Sequence, residues 1–508
     1  MRRLVSIVMV GAVLLVFPAC SDKTDETVRA AGLTPETALA FFSVNLDPAV
    51  EQKRNLQSVL RRFPDARQQV RDDFDESKDR LLSELFREGG LDYNEDVKPW
   101  LGNEVAVAVL PPGEGSEEPL VPLFVESNDD DAARDALEKS RRSGDFEGKF
   151  RFVENFVVIS DQEQEETLDD RVLNLVEREA KEEGGGLAES EAFTGVVDKL
   201  RGDRLLLGWV DGERIVDLLD EAGVLPPGLD LARSFQGGGK VAFDLHAQRS
   251  ALVLEGAAEA TGESTGGDPK LTESLPGDTL AALTAFNLAQ GARQALDLAA
   301  GVEGEDPAAL FRDATGLDLQ ADVLSWMQGE FVFVAGPPRS GQPFPDVAAV
   351  IEPTDRARAE AAMTKIRDSL AQRAQIRLQQ RDIAGSTAFV FPQAVAPGVQ
   401  PAMALFPDRF VLANSPAYLE ALAQAASPRF DESPVYDSVL GQGSSDATSF
   451  QIVLDIDPIR EAIESAMGSD PYYESEIKPN LEPLDGFGIF ARRDGDVERF
   501  EMRLTFDQ

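Results

Sequence analysis

Short runs alternating apolar with polar residues trade places along this chain with stretches of helical spacing. Ala38–Leu46, Val105–Leu110 and Leu120–Glu126 read as strands, the last two joined by the Gly/Pro/Glu turn at Pro111–Glu118. Val50–Phe63 and Val70–Phe86 are spaced as helices, as Leu81, Leu82, Leu85 and Phe86 illustrate. Asn128-Asp129-Asp130-Asp131 opens a helix reaching about Arg142, with acids at its positive N-terminus. Phe150–Glu154 and Phe156–Ile159 predict a tight hairpin around Glu154-Asn155. Arg171–Lys181 and Phe193–Leu200 are helical, and Arg204–Val210 is a strand. Adjacent strands with short turns predict a mainly antiparallel sheet, and the intervening helices must cover part of it. The expected fold class is α+β, in two similar halves.

The expectation of two halves comes from repetition. Leu33–Leu46 can be laid on Leu275–Leu288 at an offset of 242, aligning Asn45 with Asn287. Asp96-Val97, Trp100 and Glu104 fall on Asp322-Val323, Trp326 and Glu330, now at an offset of 226. The same offset carries Phe124-Val125-Glu126 onto Val350-Ile351-Glu352, and Ala133, Ala136 and Leu137 onto Ala359, Ala362 and Met363. Glu154–Val158 resembles Asp408–Leu412. Each half closes on two strand-like runs, Lys240–Leu245 with Ala251–Gly256 and Gly486–Ala491 with Arg499–Phe506. Blocks that recur in the same order argue for duplication. The expected organisation is residues 33–256 and 271–508 as the two α+β repeats. Residues 257–270 join them as a Gly/Ser/Thr-rich linker.

The chain starts differently. Arg2 and Arg3 precede an apolar run, Leu4–Phe17, and Ala19 precedes Cys20. That run falls short of the roughly 20 residues a span requires and suits a signal-peptide core. Residues 1–19 therefore read as a lipoprotein signal, with Cys20 the lipidated residue and residues 20–32 a tether. Leu is more usual than Phe17 three places before such a cysteine, and Pro18 is also uncommon there. This reading places the protein on the outer face of the cytoplasmic membrane. A secreted form or a single N-terminal anchor is the alternative.

Charge changes the picture of partners more than of fold. Asp and Glu number 91 against 49 Lys and Arg, a net charge of −42, while 43% of residues are apolar. Phosphate binding needs clustered cations, so nucleic acid is excluded as a partner. No disulfide forms within a chain whose single cysteine is Cys20.

Thr37, Val44-Asn45-Leu46-Asp47-Pro48, Leu60-Arg61-Arg62-Phe63-Pro64, Val97-Lys98-Pro99-Trp100-Leu101-Gly102 and Val105–Pro111 together resemble one family. It is the actinobacterial family catalogued as domain of unknown function 3352. The resemblance implies a secreted or membrane-associated envelope protein. It implies no activity and supplies no catalytic residue.

Candidate chemistry is sparse. Trp100 and Trp326 occupy matching places and read as packing anchors, with ligand stacking the alternative. His246 is the lone histidine, which disfavours triads and ordinary zinc sites and leaves it a plain core or surface role. Gly237-Gly238-Gly239-Lys240 lacks the remaining residues of a phosphate loop. Asp92-x-Asn94-x-Asp96 lacks the glycine and final glutamate of a calcium loop. Asp161–Glu183 reads as a solvated acidic helix and loop. No catalytic residue, metal site or cofactor is expected. The functional expectation is a lipid-anchored, non-enzymatic module binding a small ligand or an envelope protein. A structural or assembly factor is the alternative, and a carboxylate-dependent hydrolase a third reading.

Overall fold

The computed structural model describes residues 28–69, 92–113, 118–144, 148–160, 166–181, 186–221, 239–260, 266–293, 307–339, 344–424, 427–440, 448–467 and 470–507, with scattered positions between them. The first half contains β1 (Ala40–Asn45), β2 (Leu101–Val109), β3 (Leu123–Ser127), β4 (Lys149–Val153), β5 (Phe156–Ser160), β6 (Leu206–Asp211), β7 (Lys240–Gln248) and β8 (Ala251–Glu259). Their pairings are antiparallel and give the order β4-β5-β3-β2-β1-β6-β7-β8. Its helices include α1 (Arg29–Gly32), α2 (Val50–Leu60), α3 (Asp130–Ser143), α4 (Glu166–Glu179) and α5 (Glu191–Val197).

Local chemistry sets these elements. The Asp129 carboxylate accepts from the amides of Asp131 and Ala132 at the start of α3. Gly144, at φ +82°, ends it in the left-handed region that glycine adopts without strain. Ala133, Ala136, Leu137 and Ser140 then share one buried stripe. That stripe packs over Val107, Leu123 and Val157 on one face of the sheet. The opposite face, including Phe41, Ala106, Leu207, Trp209 and Ala242, is closed by α1, α4 and α5. Leu56 of α2 joins a smaller cluster with Leu205 and Ala247.

The second half repeats this plan. Its strands are β9 (Ala281–Phe286), β10 (Glu330–Gly336), β11 (Asp346–Ile351), β12 (Gln379–Ile383), β13 (Ser386–Val390), β14 (Ala402–Leu405), β15 (Phe410–Ala413), β16 (Thr448–Asp455), β17 (Leu484–Asp494) and β18 (Val497–Phe506). The order is β12-β13-β14-β15-β11-β10-β9-β16-β17-β18, again antiparallel. Its helices include α6 (Lys270–Glu273), α7 (Arg356–Arg373), α8 (Pro416–Ala423) and α9 (Pro434–Leu440). Ala359, Ala362 and Met363 of α7 pack over Ile351, Met403 and Phe410. Helices α8 and α9 close the other face over Val332, Val334, Val453 and Phe490. The hairpin β12–β13 is an addition at one edge of this half.

Register refines the repeat. Val105 pairs with Val125 and Phe331 with Ile351, in keeping with the offset of 226. In β1, however, Asn45 faces Glu104, and in β9 it is Phe286 that faces Glu330. Asn45 therefore corresponds to Phe286 and not to Asn287, a correction of one residue. The match of Glu154–Val158 with Asp408–Leu412 slips likewise: Val125 pairs with Val157, and Ile351 with Phe410. A one-residue slip turns every side chain to the other face, so only pairing resolves it.

The boundaries also shift. The chain divides into two compact units, with the main division between Thr261 and Gly262. Ala257–Glu259, expected in the linker, belong to β8, and Lys270 opens α6. Arg29–Gly32, expected in the tether, form α1, with Ala30 and Ala31 wholly buried. Among the described residues, no helix is long and apolar enough to cross a membrane.

Candidate functional site

The most regular feature is the sheet face opposite α8 and α9 in the second half. Phe333, Leu283, Ile452, Ile489 and Met502 form one cross-strand row over β10-β9-β16-β17-β18. Phe331, Ala285, Phe450, Ala491 and Phe500 form the row on one side of it. Ala335, Ala281, Leu454, Phe487 and Leu504 form the row on the other. None of these side chains is polar and none is buried, and Phe331 at one edge packs against the cluster under α7. Phe333 is 48% exposed and Met502 37%, and Leu412 on β15, beyond β11, is 47% exposed. An antiparallel sheet with one packed face normally turns polar residues to the other. Here both faces are apolar.

The first half carries the equivalent rows. Val107, Phe42, Gly208, Phe243 and Gly256 align across β2-β1-β6-β7-β8, flanked by rows led by Val105 and Val109. This face is more closed. Val107, Ala40 and Val44 are buried, and a Cβ on Gly208 would come within 2.3 Å of the Phe243 ring.

A buried glutamate joins strand to helix in each half. Glu104 accepts from the Ser43 hydroxyl at 2.9 Å and the Ala30 amide of α1 at 3.4 Å. Glu330 accepts from the Leu271 and Thr272 amides of α6 at 2.7 and 2.9 Å, and from the Thr272 hydroxyl at 2.8 Å. Burial pushes both carboxyls up to about 7, against the pull of those hydrogen bonds. A second carboxylate stands beside each. Glu126 accepts from the Asn103 and Glu104 amides and pairs with Arg29 at 2.7 Å, while Glu352 accepts from the Glu330 amide at 3.2 Å. These groups clamp short helices onto sheets. The matched positions Glu104/Glu330 and Glu126/Glu352 were visible as repeats, but their shared role needed the register.

Trp100 and Trp326 are 5% and 3% exposed, inside the clusters under α3 and α7. Each indole donates to a carbonyl four residues back, Asp96 at 2.6 Å and Asp322 at 3.1 Å. Burial leaves neither ring a face for stacking a ligand. Asp92 and Asp318 instead cap a short helical turn in each half, accepting from the Glu95 and Ala321 amides. Cys20, Gly237 and Gly238 lie outside the described residues. Of the acidic run, Glu166–Glu179 is helical, with Leu168, Val172, Leu173 and Val176 buried. His246 is a buried core residue 3.0 Å from Asp244.

The family described as "Protein of unknown function (DUF3352)" matches residues 3–179 and 233–506. The chain belongs to that family. No curated protein matches it. Two solved structures are similar in part, titled "Structure of crystal form I of TP0453" and "Structure of crystal form IV of TP0453". The first has 10% identity and a TM-score of 0.22, covering 46% of this chain and 79% of that one. The second has 12% identity and a TM-score of 0.21, covering 45% and 79%.

Proposed function

We propose that this DUF3352 protein is a lipid-anchored, non-enzymatic envelope module that holds uncharged aliphatic chains against its open sheet face. The observation that carries this reading is the unbroken apolar surface on β10-β9-β16-β17-β18. A chain with net charge −42 keeps every charged and polar side chain off that surface. Its electrostatic complement is an uncharged apolar ligand, and an exposed patch of this kind marks a binding surface. Anchoring through Cys20 would hold the module beside acyl lipids. The glutamate pairs support a scaffold role rather than hydrolysis, since each of the four accepts at least one backbone amide that ties it to the sheet or to a short helix.

The test is saturable binding of a fluorescent fatty acid to the full chain, with mass spectrometry of lipid extracted from the purified protein. Phe333→Asp and Ile452→Asp should each weaken binding at least about tenfold, because each places a charge on the apolar surface. Absence of saturable binding, or binding unchanged in both variants, overturns the reading. So does a defined protein partner shown to occupy the same face.

A further inference from the structure

The sheet of the first half contains a polar cluster that the scaffold does not require. Asp244 and His246 stand two residues apart on β7 and share a face, and Glu255 of β8 lies directly across from Asp244. One ligand atom from each of the three lies within 4.8 Å of the others. Asp244 is wholly buried, His246 is 4% exposed, and the Glu255 side chain is 14% exposed. His246 Nδ1 is 3.0 Å from Asp244 Oδ1. Asp244 Oδ2 and His246 Nε2 have no hydrogen-bond partner, although both are buried. Each such orphan costs about 1–3 kcal/mol, so native structures seldom leave two together without a reason.

The second half supplies the control. Leu207 pairs with Asp244, and the matching Gln451 pairs with Phe490. The positions of Asp244, His246 and Glu255 are thus taken by Phe490, Arg492 and Glu501. Phe490 is an ordinary core residue there. The same sheet packs without the cluster, so its polar groups are a local addition.

We propose that Asp244, His246 and Glu255 form a binding site for one divalent first-row metal ion, Zn²⁺ being the ion that suits the set best. One imidazole and two carboxylates leave a fourth position for water, the pattern of an open zinc site. Zinc ligands in a tetrahedron sit about 3.3 Å apart, so atoms no more than 4.8 Å apart need to close by at most about 1.5 Å on binding. Glu255 lies nearest the surface. Its Oε2 is 3.0 Å from Nε of Arg201, a side chain 61% exposed and able to move aside. Asp203 lies close enough to feel the charges of both His246 and Asp244, and Gln52 holds it at 3.4 Å.

Cobalt tests the site independently of the aliphatic reading. The full chain, freed of metal with a chelator, should take up one equivalent of Co²⁺ and develop d–d absorption. Zn²⁺ should abolish that absorption and raise the melting temperature. His246→Gln, with circular dichroism to verify its fold, should weaken Co²⁺ binding at least about a hundredfold. Asp457→Asn should leave it unchanged, since that residue lies in a separate acidic group. No Co²⁺ spectrum in the unmodified chain, or equal binding by folded His246→Gln, overturns the proposal.

Discussion

The two halves share their supports and differ in their surfaces. Both keep a tryptophan bonded to a carbonyl four residues back, a helix with two buried alanines and a buried glutamate that pins a short helix. Yet the central row of the open face reads Val-Phe-Gly-Phe-Gly in one half and Phe-Leu-Ile-Ile-Met in the other. The first half tucks Phe243 over a glycine, and the second leaves Phe333 and Met502 standing out. Duplication has retained what holds the sheet and released what the sheet presents. Only the first half adds the Asp244–His246–Glu255 cluster.

Three substitution sets sharpen this contrast. The largest effect falls on the shared supports: Trp100→Ala and Trp326→Ala should each cost about 3–5 kcal/mol in denaturant unfolding. A much smaller loss in one of them would mean that the halves are not equivalent in packing.

Next comes pH. Glu104 and Glu330 titrate near 7 when folded against an ordinary value of 4.5. Folding therefore favours their protonated forms. The stability each contributes is complete below pH 4.5 and is lost as pH rises through about 7. The loss amounts to at most about 3 kcal/mol per group. Denaturation midpoints should be lower at pH 8 than at pH 5. Glu104→Gln and Glu330→Gln should each flatten the dependence, and a dependence unchanged in both would refute the assignment.

The smallest effect tests the faces. Gly208→Ile installs the residue of the second half and should destabilise by about 1–3 kcal/mol, because the Phe243 ring fills that space. Neutral behaviour would show that the first face opens as readily as the second.

Much of this architecture was legible in the chain. The alternating runs, the hairpin at Glu154-Asn155 and the α3 stripe follow directly from residue pattern. The offset of 226 located β2, β10 and both tryptophans. What escaped has physical causes. Matching Asn45 to Asn287 trusted identity, whereas the side-chain period of a strand makes a single slip decisive. The edge hairpin β12–β13 opens with Gln379-Gln380-Arg381-Asp382, exposed residues that carry no strand alternation. Helix α1 is four residues long, too short for periodicity, and its signal was only the small pair Ala30-Ala31. The Asp244-x-His246 spacing was visible, but Glu255 joins it through pairing that sequence alone does not specify. The open faces escaped for a similar reason, since each row gathers one residue from each of five strands.

The clasp between Glu104 and α1 has a mechanical consequence. Backbone amide and carboxylate meet at Ala30, so the first described helix is pinned there. If Cys20 carries the lipid, eight residues, 21–28, separate it from Arg29. Fully extended, they reach about 28 Å. The protein would then work on a short leash, patrolling a shell no deeper than a bilayer is thick. Any pull on that leash would arrive first at a buried glutamate, one whose charge changes near neutral pH.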